Sequence, residues 1–240
     1  MPDAVLTSRR LGLAAIVAVV CGAFACLSGP LFPFKPRPSD IARHVAQAPD
    51  LDSYLQAREN GHDIKPGLAK SISWAGPAHR KTALALAYLH GFSASRRDIS
   101  PVVETLAEKL AANAFFSRLA AHALTTPAQF ASVTAQAWLD DAREALAIGR
   151  RIGNRVVLIG MSTGALLATM AALEDQSDIA ALVLLSPNFG IRDARAKFVS
   201  GPFGAWIARA VIGSEFWFRP DSIGHAEFWT TRFPSGPSSP

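Results

Sequence analysis

Arg155-Val156-Val157-Leu158-Ile159, then Gly160-Met161-Ser162-Thr163-Gly164, then Ala165-Leu166-Leu167-Ala168-Thr169-Met170-Ala171-Ala172-Leu173: the reading of the chain turns on this stretch. Its opening is a short β-branched apolar run, of the length expected for a fully buried strand. Its close is rich in Ala, Leu and Met, strong helix formers, with apolar residues all round. Between them stands Gly-x-Ser-x-Gly. A strand that must turn at once into a helix strains the residue on the corner. Gly160 and Gly164 remove β-carbons that would collide there, leaving Ser162 at the tip with its Oγ at the helix N-terminus. A serine that merely caps the helix is the plainer alternative. The strand directly before and the helix directly after favour a nucleophile.

Half of the 240 residues are apolar, enough for the core of one sizeable domain or one domain with a small addition. The net charge of +5 comes from Lys and Arg scattered without long blocks. With no zinc-finger spacing, RNA-binding aromatic motif or basic helix, nucleic acid is not an expected partner. Both cysteines, Cys21 and Cys26, fall in an N-terminal apolar run, so thiols say nothing about the compartment of the folded part.

That run, Leu11 to Leu27, carries no charge and comes after Arg9 and Arg10. It is longer than a usual signal-peptide core and slightly short for a comfortable span. Ala23-Phe24-Ala25 offers a small-x-small cleavage site, and Pro30, Pro33, Pro36 and Pro38 cut the segment off from the rest of the chain. The expectation is a signal peptide or membrane anchor, with the arginines inside and the remainder on the extracytoplasmic side.

Working outward, Asp40 to Glu59 is helical in tendency, broken at Ala48-Pro49. Lys70 to Ala75 and Thr82 to Leu89 read as strands, the second running into His90-Gly91-Phe92. Ser100-Pro101 reads as an N-cap and first helical position for a helix reaching Ala112. Ala114 to Leu119 reads as a strand, Thr125 to Phe130 as a loop, and Ser132 to Arg150 as a long amphipathic helix. Ile179 to Leu185 reads as another buried strand. Strands alternating with helices predict an α/β fold, a doubly wound, mostly parallel sheet. The expected organisation is a signal or anchor over 1–28, a Pro-rich linker over 29–39, a core over 40–188, an aromatic-rich segment over 189–233 and a disordered tail over 234–240. The aromatics of the fourth segment, Trp206, Phe216, Trp217, Phe218 and Trp229, suit either a lid over an acyl pocket or ordinary core.

Acyl transfer needs a nucleophile and, beside it, two N–H donors for the oxyanion. Gly91 lets the loop after the first strong strand approach closely, so the Phe92 N–H can serve as one donor, and the Thr163 N–H at the helix start as the other. His90 reads as a structural hydrogen-bonding histidine rather than as a base. These motifs, in this order, resemble the α/β-hydrolase superfamily, particularly bacterial carboxylesterases and monoacylglycerol-lipase-like enzymes with a His-Gly-Phe oxyanion loop. The resemblance covers roughly Lys70 to Asn188 and implies a serine hydrolase of carboxylic esters; no cofactor is expected, and the six histidines show no metal-ligand spacing. By that resemblance Ser162 is the nucleophile and Phe92 and Thr163 form the oxyanion hole, supported by His90, Gly91, Gly160 and Gly164. The implied partners are a small-molecule ester or lipid, and the membrane through the N-terminal helix; oligomeric state stays open.

The acid and base do not carry over in the same way. After Ser186-Pro187-Asn188 there is no strand-then-Asp or strand-then-His pattern, so in family terms the chain is expected to stop before the last two strands. Asp193 and His225 are the downstream pair in the order Ser…Asp…His. Without a base, the serine would lose its activation, and a non-catalytic or truncated binding module is the competing expectation.

Overall fold

The computed structural model describes residues 15–22, 34–190, 210, 215–217 and 232–234. The chain forms two compact units, Met1–Lys35 with Gly190–Phe216 and Pro36–Phe189 with Trp217–Pro240. In the first unit residues 15–22 are helical. The rest of the expected N-terminal segment lies outside the described residues, as do Asp193, Trp206, Phe218, His225 and Trp229. Among the described residues no helix is long and apolar enough to cross a membrane.

The second unit is built on a five-stranded sheet. In chain order the elements are α1 (Ile41–Gln47), α2 (Leu51–Glu59), β1 (Ser71–Ser73), β2 (Thr82–Leu89), α3 (Val102–Leu110), β3 (Asn113–Phe116), a 3₁₀ turn (Pro127–Ala131), α4 (Ala135–Ile152), β4 (Gly153–Met161), α5 (Thr163–Glu174) and β5 (Ile179–Leu185); short strands β6 (Glu215–Trp217) and β7 (Arg232–Pro234) come later in the chain. The sheet order is β1-β3-β2-β4-β5. β1 runs antiparallel to β3, and the β2–β3, β2–β4 and β4–β5 pairs are parallel, so the sheet is mostly parallel as expected.

Period-2 alternation along β2 builds a core on each face. Ala85, Ala87 and Leu89 pack with Leu139, Ala142 and Ile148 of α4 and Ala168 of α5. Leu86 and Tyr88 point the other way, toward Val103 and Ala107 of α3. β2 and β4 lie side by side at the middle of the sheet, in register from Thr82↔Gly153 to Leu89↔Gly160. The loops leaving their C-terminal ends, 90–98 and the corner at Ser162, are therefore neighbours. In open parallel sheets that end is where ligands bind.

Four expectations are corrected. Ser100 does not cap α3, which starts at Val102 after Pro101; its hydroxyl donates instead to Glu104 Oε1 at 3.0 Å. The helix stops at Leu110, with Ala111 in the left-handed region at φ 47°. β3 ends at Phe116, and the segment after it is a largely buried loop, 117–124. β5 is not a buried strand: among the described residues nothing pairs with its outer edge, and Val183 is 38% exposed.

Candidate active site

β4 ends at Met161 and α5 begins at Thr163, leaving one residue for the corner. Ser162 takes it at φ 51°, ψ −112°, a sparsely populated conformation that costs a non-glycine residue about 1–3 kcal/mol. The backbone is held there from both sides. The Ser162 N–H donates to Leu185 O at 2.9 Å, and the Ser162 carbonyl accepts from Ala165, Leu166 and Asn188 N–H at 3.1–3.3 Å. The hydroxyl makes no capping bond to the helix, which removes the plainer explanation for a serine at this point.

The two elbow glycines are there because backbone meets backbone. A β-carbon on Gly164 would lie 2.2 Å from Leu89 O, and one on Gly160 2.5 Å from Ala165 Cα, both far inside contact distance. Gly91 is different. A β-carbon there would sit 3.4 Å from Ser162 Cβ and 3.5 Å from Met161 O, so the loop after β2 abuts the corner with ordinary contacts. Gly91, Gly160, Ser162, Thr163 and Gly164 thus come together at the C-terminal ends of β2 and β4. Thr163 opens α5, where an N–H has no intrahelical acceptor. The Phe92 side chain is 45% exposed, its ring edge-on to His122, Phe130 and Trp138 with centroids 5.8–5.9 Å away.

His90 is fully buried and both its ring nitrogens are engaged. Nε2 accepts the Leu119 N–H at 3.0 Å, which leaves Nδ1 to donate to Gly91 O at 2.8 Å. Burial, with His122, Arg118 and Lys70 nearby, holds its pKa well below the ordinary imidazole value. His122 returns the arrangement. Its Nε2 accepts the Ser93 N–H at 3.1 Å and its Nδ1 donates to Ala120 O at 3.0 Å. Burial lowers it to about 4. Each loop, 90–95 and 117–124, therefore supplies one neutral imidazole that accepts a backbone N–H of the other. Among the described residues no histidine hydrogen-bonds Ser162.

Loop 117–124 is anchored in turn to a buried ion cluster. Lys70 Nζ donates to Asp141 Oδ1 at 2.8 Å and to Glu144 Oε2. Glu144 also accepts from Tyr54 Oη at 2.7 Å and Arg58 Nε at 2.9 Å, while Asp141 Oδ2 accepts the Ala120 N–H at 2.7 Å. Arg118 pairs with Glu59 and donates to His122 O at 3.1 Å. Burial works against every charge here. Asp141 and Glu144 outweigh it for Lys70, whose pKa rises, and Lys70 and Arg58 outweigh it for Glu144, whose pKa falls.

This cluster, His122 and Asp98 escape a reading of the sequence. One signal is present for the first: Asp141 and Glu144 fall at helical spacing among Leu139, Ala142, Ala145 and Ile148, inside the buried stripe of α4. Asp98 has none; it stands in a polar loop. A cavity of about 740 Å³ lies elsewhere, between α2 and β1, and its walls include neither Ser162 nor Gly91 nor Phe92.

The family model described as "Alpha/beta hydrolase family" matches residues 86–239, more than half of the sequence. The chain belongs to the alpha/beta hydrolase family. The mostly parallel sheet with helices on both faces is the α/β-hydrolase fold. A solved structure from the metagenome-derived lipolytic enzymes LipS and LipT matches this chain with TM-score 0.58 and 19% identity, over 72% of this chain and 66% of that one. A monoacylglycerol lipase of Paleococcus ferrophilus matches with TM-score 0.47 and 13% identity, over 70% and 66%. Est1E of Butyrivibrio proteoclasticus with bound ferulic acid matches with TM-score 0.45 and 18% identity, over 72% and 67%. The chain thus spans about two thirds of the length of these structures. No curated protein matches its sequence.

Proposed function

We propose that this alpha/beta hydrolase is a serine hydrolase of carboxylic esters, with Ser162 as nucleophile and the N–H groups of Phe92 and Thr163 as oxyanion donors. The observation that carries the reading is the strained corner at φ 51° with a hydroxyl that does not cap its own helix. Strain of that kind persists where the surrounding structure over-determines it, and it puts Oγ at the positive end of α5. Ser162 Oγ attacks the ester carbonyl, the alcohol leaves, and water releases the acid from the acyl-enzyme. His90 is not the base, since both its nitrogens are committed to backbone partners. Asp193 and His225 stand in the family's order for acid and base, and both lie outside the described residues. The exposed Phe92 face suits an apolar acyl group. The apolar run Leu11 to Leu27 behind Arg9 and Arg10 supports a tethered or exported protein with this unit on the extracytoplasmic side.

A second reading is a non-catalytic module of the same fold. The observation favouring it is that, among the described residues, Ser162 has no histidine partner. One experiment separates the two: a fluorophosphonate probe should label the full-length chain, and Ser162→Ala should abolish the label. Labelling that survives the substitution removes Ser162 from the nucleophile's role. No labelling of the wild type supports the non-catalytic module.

A further inference from the structure

We propose that Asp98 is the positioning residue of the oxyanion loop: it holds the Gly91 N–H, and so sets the direction of the Phe92 N–H beside Ser162. This rests on the serine-hydrolase reading above.

Glycine has the least restricted backbone of any residue, and Gly91 is the link on which the Phe92 N–H swings. Its backbone is gripped at both ends. The Gly91 N–H donates to Asp98 Oδ2 at 3.1 Å, which fixes the peptide plane before it. The Gly91 carbonyl accepts from His90 Nδ1 at 2.8 Å and from the Ala94 N–H at 3.3 Å, which fixes the plane after it. With both planes held, φ and ψ of Gly91 are set. In a planar trans peptide the C=O and N–H point in opposite directions. The grip on Gly91 O therefore aims the Phe92 N–H away from His90, and Asp98 supplies the other half of the constraint.

Asp98 is itself oriented. Its Oδ1 accepts from the hydroxyl of Tyr88, a fully buried residue of β2, and its backbone N–H donates to Ser95 O at 3.1 Å, folding the loop back on itself. A carboxylate suits this post because it accepts from two donors at once, Tyr88 on one oxygen and Gly91 on the other. The ionisable groups coupled to it are Tyr88 from β2 and, through Tyr88, Glu104 from α3, which in turn interacts with Arg96 of the loop. Burial, then Asp98 and Glu104, raise Tyr88, so its hydroxyl keeps the proton that it donates. Burial raises Asp98 to about 6, against the pull of the Tyr88 and Gly91 hydrogen bonds. Its carboxylate therefore titrates close to neutrality.

The test compares Asp98→Ala and Asp98→Asn with the wild type in the full-length chain. Removing an oxyanion donor outright costs about 10²–10³-fold in kcat, and unfixing one should cost less, about 10- to 100-fold. Asp98→Ala should therefore lower kcat for p-nitrophenyl butyrate by about that factor with KM nearly unchanged, because the donor acts in the transition state. Asp98→Asn should restore most of it, its amide oxygen taking the Gly91 N–H and its amide N–H turning to the Tyr88 oxygen. Independently of activity, the Gly91 amide resonance of the wild type should titrate with a midpoint near 6, and that titration should vanish in Asp98→Asn. An unchanged kcat in Asp98→Ala, or a loss confined to KM, overturns the proposal. So does a Gly91 amide indifferent to pH between about 5 and 8, the range that brackets the Asp98 titration. If the wild type neither hydrolyses the ester nor takes the fluorophosphonate label, the serine-hydrolase reading falls, and the amide titration alone decides the clamp.

Discussion

Replacing His122 with glutamine should remove a pH dependence of stability that the wild type carries. In the folded chain His122 accepts the Ser93 N–H on Nε2, which only a neutral imidazole can do, and burial lowers its pKa to about 4. In the unfolded chain an imidazole titrates near 6.5. Between those values the unfolded state binds the extra proton, so stability rises with pH. The contribution is fully present above about 6.5 and is lost progressively as pH falls toward 4. That interval, at about 1.4 kcal/mol per pH unit, amounts to about 3 kcal/mol. His90 is lowered too and acts in the same sense, whereas Asp98, raised to about 6, gains stability on acidification and opposes it. The diagnostic quantity is therefore the difference between wild type and His122→Gln, whose amide oxygen can still reach the Ser93 N–H but does not titrate. Urea unfolding of both proteins from about pH 7.5 to 4 should show the wild type losing about 3 kcal/mol relative to the variant. A difference that stays flat across the range would refute the neutral, accepting imidazole.

The packing yields two more predictions. Lys70→Met should destabilise by about 3–5 kcal/mol in chemical unfolding, because it leaves Asp141 and Glu144 buried beside a single half-exposed arginine. Gly164→Ala should yield no soluble folded protein, since its β-carbon would lie 2.2 Å from Leu89 O, while Gly91→Ala should fold with near-native circular dichroism because its nearest contact is 3.4 Å.

The features legible in the sequence are local ones. β2 is legible over its whole length because Thr82 to Leu89 is one nearly uninterrupted apolar run, and the β4–α5 corner because two glycines flank a serine at a change of period. The structural reading of His90 agrees with its two backbone bonds. The features that escape are non-local. Lys70 and Glu144 are 74 positions apart and Tyr54 and Glu144 are 90 apart, and no residue pattern near either member announces the partner. β5 misleads for another reason: Ile179 to Leu185 has the composition of a central strand but sits at the edge of the described sheet. Part of the loop 117–124 reads as strand, because apolar residues are buried there by side-chain anchors rather than by a ladder.

The ion cluster bears on the corner at Ser162 more through position than through stability. Removing several charged side chains from water is costly, and a well-packed apolar replacement of similar volume often matches or exceeds such a cluster in net stability. An apolar cluster, however, could not direct a hydrogen bond. Asp141 takes the Ala120 N–H, and Ala120 O takes both the His122 Nδ1–H and the Trp138 Nε1–H at 3.0 Å. His122 then receives the Ser93 N–H, one residue beyond Phe92. Each step is a directional hydrogen bond. The run from α4 through loop 117–124 to loop 90–95 thus converts buried charge into a fixed backbone facing the serine. In the serine-hydrolase reading proposed above, an N–H presented to a developing oxyanion needs that fixity more than it needs another kilocalorie of burial.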